Sequence, residues 1–324
     1  MKFSGRYKFR LFFYAILLSG TSCTLLDTTP VMVPAYIYVP AIGFHTNKNS
    51  FKDEGDSSSK FVDIWIYSNG KSLGNIGVIN TNYYFKPALI PIQASGMTEI
   101  EFDAGIAKSG QSDTRIAYPF TERQVFMRNL TPNSVDTFYP VFNYLQSMMP
   151  SYSVIDKNMD ENFESGTSST GALRQFTTNA TYNTFGDTVL AIHDSSTVYP
   201  SIRLGKFSGN IVMQPASQFF EMNSTVSFTK ESLQPSVASP VYLELDYKSD
   251  VSILVGMKAT DANNVETFIP EFNSNPTTFW NKVYVCLDQD MNPTMTGTTF
   301  KMTIRIFKDA GTSPNIWIDN VKLV

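Results

Sequence analysis

Beyond residue 33 the sequence breaks into short runs of β-branched and aromatic residues, each closed by glycine, proline, asparagine or serine. Long stretches of alanine, leucine, glutamate and lysine at helical spacing are absent. Such side chains suit a pleated, half-buried surface, and turn residues at this density leave little room for helices of ordinary length, so an all-β fold is expected. The clearest piece is "KFVDIWIYSNGKSLGNIGV". Phe61, Asp63, Trp65 and Tyr67 alternate with Val62, Ile64 and Ile66, and Asn69-Gly70 supplies the two positive φ values of a type I′ hairpin turn. "KMTIRIF" alternates as cleanly, with Met302, Ile304 and Ile306 on one face and Lys301, Thr303 and Arg305 on the other. The "GKS" of the hairpin is no phosphate loop: no glycine stands five places before Gly70, and the segment is a hairpin rather than a strand entering a helix.

The strand-like runs fall into two groups. Residues 34–147 hold about seven, among them "AYIYVP", "ALIPIQ", "TEIEFDAGI" and "TRIAYPF", which is the count of an immunoglobulin-like β-sandwich. Residues 148–158, "MMPSYSVIDKN", read as a linker. Residues 159–324 hold roughly nine more, including "TVLAIHD", "PVYLELDYKS", "WNKVYVCLD" and "NIWIDNVKLV", and these fit a jelly roll of two facing sheets. "ENFES" and "WIDNVKLV" bracket this second group, as they would if the first and last segments paired within the sandwich.

The start of the chain is of another kind. Lys2, Arg6, Lys8 and Arg10 precede an eight-residue apolar run, Leu11 to Leu18, and then Ser19, Gly20, Thr21, Ser22 and Cys23. A positive segment, a short apolar run and a small-residue exit describe an export signal, because about 20 apolar residues are needed to span a bilayer. Residues 1–22 are expected to be removed, and residues 23–33 to form a tether. The exit resembles a bacterial lipobox, although Gly20 stands where an aliphatic residue is usual. The resemblance implies that the Cys23 thiol carries a diacylglycerol. At about 0.8 kcal/mol per buried methylene, two or three acyl chains hold firmly where one does not. The competing reading is an ordinary secretory signal with an incidental cysteine.

Removing 22 residues from the 324-residue chain leaves 302 and takes the net charge from −4 to −8, which gives no electrostatic footprint for nucleic acid. Besides Cys23 only Cys286 remains, so no disulfide framework is available, and in "KVYVCLDQ" it reads as a small buried strand residue. The two histidines, His45 and His193, fall in different predicted sandwiches, leaving little for a metal cluster or a nucleophile–histidine pair. No catalytic motif is present, and a non-catalytic role is expected.

"DIWIYSNGKSLGN", "ALIPI", "GQSDTRIAYPF", "ENFE", "VYLELDYKS", "WNKVYVCL" and "IWIDNVKLV", in this order, resemble a family of uncharacterised two-domain lipoproteins of Bacteroidota. That resemblance implies an address and a fold: an envelope lipoprotein with an immunoglobulin-like sandwich followed by a jelly roll of galactose-binding, carbohydrate-binding-module type. Aspartate does not follow Cys23, so the familiar inner-membrane retention signal is missing and the outer membrane is favoured, with the face left open by the single Asp27. By the same resemblance, Glu164 and Asp319 stand where such jelly rolls hold a structural calcium, against a reading of both as ordinary edge and turn residues. Tyr182 and Tyr199, in polar turn-like stretches, are the candidate sugar-stacking rings. "DTT" and "DTV" match an O-glycosylation pattern of these bacteria at Thr28 and Thr188. The leading expectation is a binding or assembly lipoprotein with a glycan or an envelope protein as partner; the alternative is a glycan-binding accessory of a polysaccharide-uptake system.

Overall fold

The computed structural model describes residues 33–46, 48–49, 52–53, 57–77, 87–93, 95–145, 160–163, 175–193, 207–233, 240–288, 291 and 298–324. The expectations for Cys23, Thr28, the 148–158 linker, Glu164 and Tyr199 lie outside the described residues.

The first half lays down β1 (Ala35–Val39), β2 (Gly43–His45), β3 (Lys48–Asn49), β4 (Lys52–Asp53), β5 (Asp63–Ser68), β6 (Lys71–Gly77), β7 (Ala88–Ile92), β8 (Gly96–Ala107), β9 (Arg115–Ala117), β10 (Gln124–Leu130), β11 (Val135–Thr137) and β12 (Val141–Asn143). The second half adds β13 (Asp160–Glu161), β14 (Phe176–Thr178), β15 (Thr188–His193), β16 (Phe207–Val212), β17 (Phe219–Ser224), β18 (Phe228–Thr229), β19 (Tyr242–Ser249), β20 (Ile253–Thr260), β21 (Glu266–Asn273), β22 (Thr277–Cys286), β23 (Thr299–Phe307) and β24 (Ile316–Leu323). Among the described residues one helical turn, Lys230–Leu233, interrupts them. The protein is all-β and has several sheets, as the residue pattern requires.

In the first half, a sheet ordered β11-β1-β7 faces one ordered β10-β8-β5-β6, with β9 on β8. Ala35, Ile37 and Val39 from one and Ile64, Ile66, Ile100, Phe102 and Ala104 from the other meet in a shared core. The hairpin forms as its sequence demands, with Asn69 at φ 47° and Gly70 at φ 72° between β5 and β6. In the second half, a sheet ordered β15-β16-β24-β19-β22 faces one ordered β14-β17-β23-β20-β21, with β13 on β24 and β18 on β23. Leu243, Leu245, Val283, Val285 and Ile318 pack against Met222, Ile253, Val255, Met302, Ile304 and Ile306. The first and last segments of this half do pair, Asp160 opposite Lys322 and Glu161 opposite Val321.

Two strands escape the sequence pattern. β17, "FFEMNS", lacks an obvious alternation because Glu221 points outward yet is fully buried. β21, "ETFIPEFN", contains Pro270, and a proline is tolerated there because β21 ends its sheet and the ladder slips at Gly256, opposite Pro270. Conversely, "STVSFTK" yields only the short β18 before the helical turn.

Asp63 is a buried acid at the centre of the hairpin sheet. It pairs with Gly77 on one side and Gly105 on the other, and a Cβ on Gly105 would run into its carboxylate. Asn75 donates to its Oδ2 at 3.2 Å, while the buried Oδ1 has no hydrogen-bond partner. Burial pushes the acid up to about 6, against the smaller opposing pull of the Arg115 charge and the Asn75 amide. An acid raised in the folded state penalises folding above its folded pKa, and the penalty fades as pH falls through 6 toward 3.8. Asp63→Asn is therefore expected to gain about 1–2 kcal/mol of stability at pH 7 and nothing below pH 4, read by urea unfolding at both pH values.

The two cores meet directly. Phe61 stacks on Tyr284 with ring centroids 6.1 Å apart and planes 10° apart, and Tyr118 packs on Tyr284 at 4.9 Å and on Tyr242 at 5.9 Å. Ser109 N–H donates to Tyr284 O at 2.9 Å. Cys286 is buried at this junction, as its context implies; its amide donates to Ser109 Oγ at 3.2 Å and its thiol to Asp288. The first half thus covers part of the outer face of the β19–β22 sheet; on the outer face of the opposite sheet Glu221, Thr303, Lys258 and Asn223 are buried as well, while Tyr182 and Phe307 stay exposed at its border.

Candidate functional site

That second outer face is built by strand alternation. With Phe220, Met222, Ile304 and Ile306 turned inward, Phe219, Glu221 and Asn223 of β17 and Lys301, Thr303, Arg305 and Phe307 of β23 turn outward, in register Phe219–Phe307, Glu221–Arg305 and Asn223–Thr303. β20 contributes Lys258 and β21 contributes Phe268, opposite one another.

Glu221 is the hub. Its Oε1 accepts from Lys258 Nζ at 2.5 Å, Asn179 Nδ2 at 2.7 Å and Asn223 Nδ2 at 3.0 Å. Its Oε2 accepts Arg305 Nε and Nη2, both at 2.7 Å. Burial alone would raise this acid, but the hydrogen bonds from Lys258, Asn179, Asn223 and Arg305 outweigh it and hold it at about 2. The Arg305 guanidinium lies over the Phe268 ring, 3.8 Å from its centroid. Thr303 Oγ1 donates to Asn223 Oδ1 at 2.8 Å. The result is a buried, hydrogen-bonded network that fixes these side chains against one another.

Aromatic rings border it. Tyr182 meets Phe219 edge-on at 5.0 Å, and Phe219 packs against Phe307 at 4.9 Å. Tyr182 and Phe307 are exposed at 45% and 57%, enough to offer open ring surface beside the network. The exposed rings beside the partly exposed Arg305 guanidinium, which the buried Glu221, Asn223 and Lys258 support from beneath, can take a ligand that is apolar on one face and hydroxylated at its edge.

Of the sequence candidates, Tyr182 belongs to this surface. Asp319 does not: it is buried on the opposite sheet, opposite Asp246, and its Oδ1 accepts the Asn320 N–H at 2.8 Å. Among the described residues no group of three or more His, Cys, Asp or Glu is placed to hold a metal ion. Thr188 is half-buried at the start of β15, opposite Val212. Glu221, Lys258, Asn179 and Asn223 escaped sequence reasoning. The outward position of Arg305 was readable in "KMTIRIF", and the one signal for the hub was an isolated glutamate within an apolar run.

No family model matches the chain, and no curated protein matches it either. Solved structures do. The CBM22-1 xylan-binding domain of Paenibacillus barcinonensis Xyn10C is similar at 12% identity and TM-score 0.35, over 53% of this chain and 96% of that one. TmCBM61 in complex with β-1,4-galactotriose is similar at 14% identity and TM-score 0.31, over 53% of this chain and 99% of that one. An exo-β-agarase is similar at 10% identity and TM-score 0.34, over 52% of this chain and 25% of that one. Likenesses of this size say nothing about ligand or activity in this chain.

Proposed function

We propose that this chain is a non-catalytic glycan-capturing lipoprotein. Its immunoglobulin-like half is tethered to the outer membrane through acylated Cys23, and its jelly-roll half binds saccharide on the outer face around Glu221. One observation carries the binding role: the exposed rings of Tyr182 and Phe307, joined through Phe219, stand beside an Arg305 guanidinium that the buried Glu221 network holds in place. A preorganised guanidinium loses little entropy on binding, and the rings supply stacking area. Losing a ring removes about 0.5–1.5 kcal/mol, so Tyr182→Ala/Phe307→Ala is expected to bind about 5- to 150-fold more weakly. Affinity electrophoresis of the full mature chain through gels loaded with xylan, galactan or agarose reads this. The reading fails if a polysaccharide retards the parent chain and the double variant equally, or if none retards the parent.

Assembly with an envelope protein is the second reading. Met97, Val125 and Met127 favour it: they are exposed on one face of β8 and of β10, the edge strand of its sheet. Unretarded parent chain in every gel would move the assignment to that face.

A further inference from the structure

The sheet ordered β11-β1-β7 has an unusual outer face. Its inner side chains, Ala35, Ile37, Val39 and Ile92, are in the core. The register places Tyr36 beside Val135 and Pro91, and Tyr38 beside Thr137 and Leu89, so these six side chains form the opposite face. None is charged. Leu89 and Val135 are 55% and 56% exposed, and Tyr139, continuing the alternation of β11, is 64% exposed. Neither tyrosine hydroxyl is hydrogen-bonded to another described residue. The outer faces of the other three large sheets all bear charges: Glu101 and Asp103 on β8, Lys258 and Arg305 around Glu221, and Glu244 and Lys282 on β19 and β22.

What lies opposite this face follows from where the chain enters it. β1, the central strand, begins twelve residues after Cys23, and twelve residues reach about 40 Å at full extension. An acylated Cys23 therefore keeps this strand close to a bilayer, and a contact that would be weak between free molecules becomes effectively intramolecular. Tyrosine, with an apolar ring and a polar tip, suits the interfacial zone, and leucine, valine and proline beside it add apolar area at no cost of charge desolvation.

We propose that the outer face of this three-stranded sheet rests on the lipid bilayer, with Tyr36 and Tyr38 at headgroup level. This depends on the anchoring of Cys23 proposed above. The contact would fix the orientation of the protein on the membrane, not merely its distance from it.

The test separates the two ideas. A chain of residues 23–324 is coupled through Cys23 to a maleimide-bearing phospholipid in phosphatidylethanolamine–phosphatidylglycerol vesicles, so the tether is present whether or not the cell acylates it. Cys286 is buried and does not compete. Tyr38→Trp and, as a control on β6, Leu73→Trp are compared in vesicles with brominated acyl chains. Excess emission loss is expected for Tyr38→Trp over Leu73→Trp. Adding Leu89→Glu and Val135→Glu should abolish that excess and leave the thermal midpoint unchanged. Equal quenching of the two tryptophan variants overturns the proposal. So does vesicle-free dimerisation that the two glutamates abolish, which would assign the face to a second copy. Native acylation is checked separately, by the intact mass of the chain extracted from its own membrane.

Discussion

Glu244→Ala is expected to lower the unfolding free energy by about 3–5 kcal/mol, a large share of the 5–15 kcal/mol typical of a folded domain. Glu244 lies where the two cores meet. Its Oε1 accepts the hydroxyls of Tyr118 at 2.6 Å and Tyr144 at 2.8 Å, both from the first half, and Lys282 Nζ lies 2.9 Å from its Oε2. Lys282 also reaches Ser58 Oγ at 3.1 Å, Ser58 donates to Asp246 Oδ2 at 2.7 Å, and Asn320 Nδ2 donates to the same oxygen at 2.8 Å. Desolvation would raise this fully buried acid, but the charges of Lys282 and Lys322 and the Tyr118 hydroxyl hold it below the usual carboxylate range. Alanine leaves the Lys282 ammonium desolvated and short of its closest carboxylate, and that uncompensated charge is the larger part of the loss. The double variant Glu244→Leu/Lys282→Met removes both charges of the closest pair and should regain part of it, because the buried Lys322 charge and the Tyr118 and Tyr144 hydroxyls still lose the carboxylate. Urea unfolding of the three proteins reads the difference; a loss under about 1 kcal/mol for Glu244→Ala would show that the carboxylate does not tie the halves together.

Glu221→Ala is expected to cost about 3–5 kcal/mol as well, and to abolish glycan retardation. The reason is the same and the consequence is different. Lys258 and Arg305, both largely buried, lose the carboxylate that fixes them, and the guanidinium beside the rings loses its place. The acid behaviour gives a separate check. A carboxyl depressed from 4.5 to about 2 contributes stability that is fully present above pH 4.5 and is lost as pH falls toward 2. In the parent chain the stability owed to this residue should therefore decline between pH 4.5 and 2, and Glu221→Gln should remove that part of the decline. A Gln variant with an unchanged acid profile would show that Glu221 does not titrate as its partners imply.

Much of the architecture was open to reading from residues alone. Asn69-Gly70 between alternating runs demands a hairpin, because two successive positive φ values are cheap only for such residues, and the hairpin is there. The alternation of "KMTIRIF" separates Met302, Ile304 and Ile306 from Lys301, Thr303 and Arg305, because successive side chains on a strand must point to opposite faces, and the first set lies in the core. Tyr182 was read as exposed from its polar turn, and it borders the candidate site.

Pairing across the chain was not open to that kind of reading. Glu221 and Arg305 are 84 residues apart, and only the β17–β23 register makes them neighbours. Glu244 and Tyr118 are 126 apart and lie in different halves. The sequence by itself determined the hairpin, most of the strands and their alternation, β17 and β21 excepted, because these depend on local backbone geometry and a period of two. Only the tertiary structure decided which outward faces meet another face, because that depends on packing between distant segments, and it is this that separates the junction at Glu244, buried between the halves, from the network at Glu221, bordered by the exposed rings of Tyr182 and Phe307.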